Sequence, residues 1–213
     1  MISKTQKFWD KQAKKYDYSE KQFEPVFKEI IMQTKSYLTP EDNVLDFGCA
    51  TGTKTILLAD SAGHIRGLDI STEMISEANK KITERGLKNI SFIQGDLFDD
   101  ISGKAMFDKI ISYGVIHLLD DSEKIIRRIY ELLKPNGLFI SSTACLKSKM
   151  TFKNKLVFNV YQMIRKSGFL PLHLSLFEPD NVEKLIVNQG FQIVKAETIF
   201  HGITISFIIA KKE

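Results

Sequence analysis

Cysteine, tryptophan and proline are scarce in this 213-residue chain, which has two cysteines, one tryptophan and five prolines. Cys49 and Cys145 lie far apart, and no CxxC pair or histidine cluster has the spacing of metal ligands, so we expect neither a disulfide framework nor a metal site. No run of about 18 apolar residues occurs, and the N-terminal segment lacks the apolar core of a signal peptide. We therefore expect a cytoplasmic protein without stable membrane insertion.

An excess of one charge is also missing. Thirty Lys and Arg residues stand against 26 Asp and Glu residues, a net charge of +4 with no basic tail. This balance does not indicate a nucleic-acid partner. The length is typical of one domain covering residues 1–213, as a monomer or a homodimer.

Short apolar runs alternate with helical patterns along most of the chain. Strands are predicted at 43–47, 65–69, 90–94, 107–113, 137–143, 191–197 and 203–210, and helices at 5–18, 23–38, 53–61, 72–85, 122–133 and 181–189. Such alternation predicts βαβ units and a parallel sheet with helices on both faces. No helix separates the last two strands, so they should pair antiparallel at the edge. The fold class is therefore α/β, a doubly wound, mostly parallel seven-stranded sheet.

The first predicted strand leads into a glycine-containing turn, VLDFGCATGTKT. Gly48 and Gly52 allow a tight turn and close approach of a ligand to the backbone. The dinucleotide fingerprint GxGxxG is not met, because Ala50 and Thr53 replace its second and third glycines. Asp46, two positions before Gly48, would repel a pyrophosphate but would attract a ligand with an ammonium and a sulfonium.

Two further acids follow the next two strands. Asp69 ends the second strand, where a carboxylate can accept hydrogen bonds from both hydroxyls of a ribose. Asp96 follows the third strand and could accept from the exocyclic amine of adenine, with the Leu97 N–H on a ring nitrogen. An acid after a strand is often only a helix cap, but the series with Asp46 and Asp69 favours the binding role.

Five stretches resemble, in order and spacing, the motifs of class I S-adenosylmethionine-dependent methyltransferases: VLDFGCATG, GLDIS, GDLFD, FDKIISYGVIHLLDD and LKPNGLFISST. The resemblance covers about residues 40–145, and FWDKQAKKYD also looks like the N-terminal segment of the small-molecule branch. It implies a Rossmann-like fold, S-adenosyl-L-methionine as cofactor and a small-molecule substrate.

The resemblance also implies roles for single residues. Its cofactor contacts run from methionine to adenine: Gly48 and Gly52 on the methionine portion, Asp69 on the ribose, Asp96 on the adenine amine, and Ile70 and Leu97 beside the ring. Tyr16 would close over the cofactor, and Tyr113 would lie near the transferable methyl. Ala50 replaces the commoner glycine, which should tighten the turn without abolishing the pocket.

Methyl transfer is an in-line displacement at an activated carbon, so positioning can supply much of the catalysis and a strong base is not obligatory. His117 is the nearest candidate base, with an ordinary pKa of about 6.5, although a helix-capping or core role fits its position equally well. His173 and Tyr113 are the other candidates. Residues 112–115 lack the Asn/Asp-Pro-Pro-aromatic motif, which disfavours methylation of nucleic-acid bases and glutamine amides.

The chain divides into an N-terminal cap (1–22), a cofactor-binding core (40–145), an insertion (146–177) and a C-terminal helix with two strands (178–213). Family resemblance implies that the insertion is a lid over an apolar or aromatic acceptor. It could also be ordinary core, or contact an anionic membrane surface. Two other functions stay open: a non-catalytic cofactor-binding protein and, less favoured, a nicotinamide-dependent oxidoreductase.

Overall fold

The computed structural model describes residues 3–99, 105–166 and 173–213. Its helices are α1 (Lys4–Glu20), α2 (Glu24–Lys35), α3 (Thr53–Ile56), α4 (Thr72–Arg85), α5 (Ser122–Leu132), α6 (Phe152–Lys166) and α7 (Pro179–Val187). Its strands are β1 (Asn43–Phe47), β2 (His64–Asp69), β3 (Ile90–Gln94), β4 (Phe107–Tyr113), β5 (Leu133–Ala144), β6 (Phe191–Phe200) and β7 (Thr204–Lys212).

All seven strands form one sheet in the order β3-β2-β1-β4-β5-β7-β6. Strands β1 to β5 are parallel, whereas β7 is antiparallel to both β5 and β6. The predicted Rossmann-like doubly wound fold and the antiparallel edge pair are therefore confirmed. The strand order reverses between β1 and β4, and in sheets of this type ligands bind outside the carboxyl ends of the strands at such a point.

Neighbouring residues on the strands face opposite sides of the sheet and build two separate cores. Leu45, Ile110 and Phe139 belong to the core that includes buried residues of α5 and α7. Val44, Ile111 and Ile140, each next to one of those residues, belong to the core that includes residues of α2 and α4. This alternation of fully buried side chains is what a sheet covered on both faces requires.

Several element boundaries differ from the sequence prediction. The helix predicted at 53–61 ends at Ile56 and is followed by a short 3-10 turn at Ala59–Ser61. Strand β5 begins at Leu133, because Leu133 already pairs with Phe107 before a register shift in β4. The insertion includes helix α6, while its residues 167–172 lie outside the described ranges. No described helix has the length and apolar character needed to cross a membrane.

Candidate active site

The turn after β1 has an unusual run of left-handed backbone. Gly48 has φ of +75°, Gly52 has φ of +71°, and Ala50 between them has φ of +48°. A Cβ atom added at Gly48 would lie 2.4 Å from Cγ2 of Val115, so the turn after β1 packs directly against the loop after β4. The glycine is therefore required both by its conformation and by this close approach. Ala50 retains the same conformation at the cost of local strain.

Asp69 connects this turn to the start of α4. One carboxylate oxygen accepts the Ala50 N–H at 3.0 Å, and the other accepts the Ser71 N–H at 2.9 Å. Burial raises the pKa of Asp69, although these two hydrogen bonds act in the opposite direction. Each oxygen retains lone-pair capacity for a further donor, as recognition of a ribose diol requires.

A first cavity of about 350 Å³ lies at the carboxyl ends of the strands. Six predicted site residues line it: Tyr16, Gly48, Asp69, Ile70, Asp96 and Tyr113. Two further acids, Asp120 and Asp121, belong to the same wall, against one lysine, Lys124. A pocket with this excess of carboxylates favours a cationic ligand.

Three other predicted cofactor contacts are not on this wall. Asp46 is buried beneath the turn, where it accepts a hydrogen bond from Thr55, and burial raises its pKa to about 6. A Cβ at Gly52 would collide with the Phe92 ring at 2.4 Å. The Leu97 side chain is fully buried in the core. The side chains of Asp46 and Leu97 and the Cβ position of Gly52 therefore point into packed protein, whereas contacts of the cofactor with the main chain of Gly52 and Leu97 stay predictions.

A second, larger cavity of about 550 Å³ adjoins the first. Its lining is predominantly apolar and aromatic, supplied by α1, α2, α6 and the carboxyl half of the sheet. Five residues line both cavities: Trp9, Tyr16, Tyr113, Gly114 and Leu118. A Cβ added at Gly114 would meet no atom within 4 Å, so the space beside this glycine is free.

The hydroxyl of Tyr113 is engaged by α2 and is poorly suited to proton transfer. It lies 2.6 Å from the Thr34 hydroxyl of α2, and burial raises its pKa. A deprotonated Tyr113 is therefore disfavoured, and the residue lines both cavities. This corrects the prediction that Tyr113 could accept a proton.

His117 lies in a 3-10 turn (Ile116–Leu118) and lines the second cavity. Its Nδ1 atom is buried without a hydrogen-bond partner among the described residues. Burial lowers the pKa of His117 to about 4, so the expected value of about 6.5 is wrong and the imidazole is neutral near pH 7.

His173, the alternative base, is instead on the first cavity. Its two ring nitrogens contact Asp120 at 3.0 Å and the Ser175 hydroxyl at 3.0 Å. These contacts occupy both sides of the ring. His117 is therefore the better-placed histidine for a group in the larger cavity.

Helix α1 is held across the turn by polar side chains. Asp17 accepts hydrogen bonds from Thr51, from Thr53 at 3.0 Å and from Lys81 at 2.6 Å. Burial opposes ionisation of Asp17, but the bonds from Lys81 and Thr51 prevail and lower its pKa. Asp10 accepts from the Ser71 hydroxyl at 2.7 Å, which attaches α1 to α4 as well.

Sequence reasoning missed several wall residues. Trp9 contacts Tyr16 edge to face, with ring centroids 6.3 Å apart, and lines both cavities. Phe98 lies on the first cavity, with the Lys124 ammonium 4.6 Å from its ring centre. The spacing of aromatic residues in α1 was a usable signal for Trp9. Nothing in the sequence distinguished Phe98 from a surface residue.

A model of the methyltransferase domain family matches residues 38–190 of the chain. Juvenile hormone acid O-methyltransferase of Bombyx mori is 29% identical over 75% of this chain and 61% of its own length. The malonyl-acyl-carrier-protein O-methyltransferase of Priestia megaterium is 32% identical over 67% and 53% of the two chains. The chain thus spans only about half to three fifths of these relatives.

The fold also matches a solved structure with bound cofactor. Phosphoethanolamine N-methyltransferase 2 of Haemonchus contortus, in complex with S-adenosyl-L-methionine, superposes with a TM-score of 0.69 at 17% identity. The match covers 85% of this chain and 51% of that one. Taken with the family match and the geometry of the sheet edge, these findings show that the chain belongs to the class I S-adenosylmethionine-dependent methyltransferases, enzymes that transfer methyl groups.

Proposed function

We propose that this protein transfers a methyl group from S-adenosyl-L-methionine to an oxygen, nitrogen or carbon nucleophile of a largely apolar small molecule. The observation that carries the proposal is the pair of cavities with one shared wall. One cavity is rich in carboxylates and the other is apolar, so each is matched to a different ligand. An in-line displacement needs two ligands that meet at one opening.

The first cavity supports the cofactor half of the proposal. Asp69 lines this cavity and would accept from a ribose diol, and Asp96 and Phe98 belong to the same lining and would contact adenine. The cofactor supplies a methyl carbon activated by a sulfonium. Tyr16 and Tyr113 line the shared wall, and the face of an aromatic ring attracts a nearby positive charge such as a sulfonium.

The second cavity supports the acceptor half. Its aromatic walls would hold an apolar body and exclude water from the reacting groups, and the free space at Gly114, which lines both cavities, leaves room for a nucleophile beside the first cavity. His117 is neutral near pH 7 and therefore able to accept a proton from the nucleophile. Its low pKa makes it a weak base, so positioning supplies most of the acceleration.

The test is incubation of the protein with methyl-labelled S-adenosylmethionine and a metabolite extract separated by reversed-phase chromatography. We expect a labelled product in the strongly retained fractions, and loss of that product in Asp69→Ala but not in Asp60→Asn. Tight cofactor binding with no labelled product in any fraction would identify a non-catalytic cofactor-binding protein. Binding of NAD in place of S-adenosylmethionine would contradict both halves.

A further inference from the structure

Helix α6 has an apolar stripe that no described part of the protein covers. Phe152, Leu156, Val160 and Met163 are spaced by four, four and three residues and fall within about 80° of helix circumference. All four are exposed, Phe152 to 86% and Met163 to 71%. Side chains of this size are seldom left in water as one continuous line.

The stripe lies in the most basic part of the chain. Residues 146–177 contain six Lys and Arg residues and no Asp or Glu, so this segment has a charge of +6. That charge is larger than the net charge of +4 of the whole chain. The rest of the chain is therefore slightly negative, so the positive charge is concentrated on the insertion. Helical geometry places Lys155 on one side of the stripe and Lys153 on the other. Neither lysine makes an ion pair with a described residue.

The opposite side of the same helix faces the larger cavity. Asn154, Val157, Phe158 and Tyr161 line that cavity together with Lys153 at its border with the stripe, whereas the four residues of the stripe do not. Helix α6 therefore separates the cavity from the exposed stripe. An apolar compound dissolved in a lipid layer beneath the stripe would be one helix width from the cavity.

We propose that α6 docks this protein on an anionic membrane surface, with the stripe in the interface and the basic residues against lipid phosphates. An apolar line bordered by lysines, without acidic residues, is the pattern that binds such surfaces by burial and charge together. A nucleic-acid partner would need the charge but not the stripe, and a second copy of the chain would place two basic helices against each other. The docking does not depend on the proposed methyl transfer.

The experiment is sedimentation of the purified full chain with vesicles of phosphatidylcholine alone or mixed with phosphatidylglycerol. We expect binding to the mixed vesicles, weak binding to phosphatidylcholine, and release by high salt. Lys155→Ala should lower the partition coefficient about fivefold, the effect of one lysine near an anionic surface. The double variant Phe152→Ser with Met163→Ser should lower it at least tenfold.

Matched controls are available on α2, where Met32 is 68% exposed and Lys28 is also exposed. Met32→Ser and Lys28→Ala should bind vesicles as the unaltered protein does, and all variants should retain the same melting temperature. Absence of vesicle binding, or equal binding by the α6 and α2 variants, would overturn the proposal. A concentration-dependent dimer, or RNA retention, that the α6 double variant abolishes while vesicle binding is unchanged would assign the stripe to that occupant instead.

Discussion

Replacement of Asp69 is a single-residue test of the proposed cofactor site. Its two carboxylate oxygens accept the N–H groups of Ala50 and Ser71, and the residue lines the first cavity. Hydrogen bonds to a charged group contribute about 1.5 to 3 kcal/mol. Loss of the carboxylate in Asp69→Ala should therefore raise the Kd for S-adenosylhomocysteine roughly 10- to 150-fold.

Isothermal titration calorimetry measures this change directly. Asp69→Asn, which keeps the size of the side chain, separates loss of charge from loss of volume, and Asp60→Asn is a matched control on the surface, where Asp60 pairs with Lys35 at 2.6 Å. Because burial raises the pKa of Asp69, this carboxylate becomes protonated at a higher pH than an ordinary aspartate. As the pH is lowered, the affinity of the unaltered protein for S-adenosylhomocysteine should therefore begin to fall at that higher pH. Unchanged affinity in folded Asp69→Ala protein would remove this residue from the site.

Three further predictions concern the histidine, the α1 attachment and the turn. The pKa of His117 is about 4 in the folded protein and about 6.5 in the unfolded chain. As the pH falls from 6.5 towards 4, the unfolded chain binds the proton first, and about 3 kcal/mol of the free energy of unfolding is lost. Urea unfolding of His117→Gln should lack this part of the pH dependence, and an identical pH profile would show that the ring is not desolvated. Asp17→Ala should speed amide hydrogen exchange in α1 and weaken cofactor binding about fivefold. This is the size expected for loss of a partly exposed ion pair and two hydrogen bonds from hydroxyl groups. Equal exchange rates in the variant and the unaltered protein would mean that other contacts hold the helix. Ala50→Gly should raise the free energy of unfolding by about 1 kcal/mol. The strain energy relieved at the φ of +48° exceeds the entropy cost of the more flexible unfolded chain. A lower melting temperature of the variant would show that Ala50 is not strained.

The sheet was predictable because its strands are short apolar runs with helical patterns between them. Periodicity and the missing last crossover were enough to predict five parallel strands and the antiparallel edge. The ends of the strands were harder to predict. The extension of β5 to Leu133 depends on its pairing with Phe107 before a register shift, and no local sequence pattern indicates that shift.

The lining of the first cavity was predictable where a residue's position follows from its place on the sheet edge, as for Asp69 and Gly48. It was not predictable where burial decides the role. Asp46 follows the same strand pattern as a ligand contact but lies beneath the turn, bonded to Thr55. Similarly, only the packing of α2 against the sheet reveals that the Tyr113 hydroxyl is engaged by Thr34.

A crystal structure with S-adenosylhomocysteine bound would show directly whether the two cavities hold cofactor and acceptor side by side. We expect adenosine in the first cavity beside Asp69 and Phe98, with the sulfur at the wall formed by Tyr16, Tyr113 and Gly114 and directed towards the second cavity. Adenosine in the second cavity, or a sulfur remote from the shared wall, would contradict it.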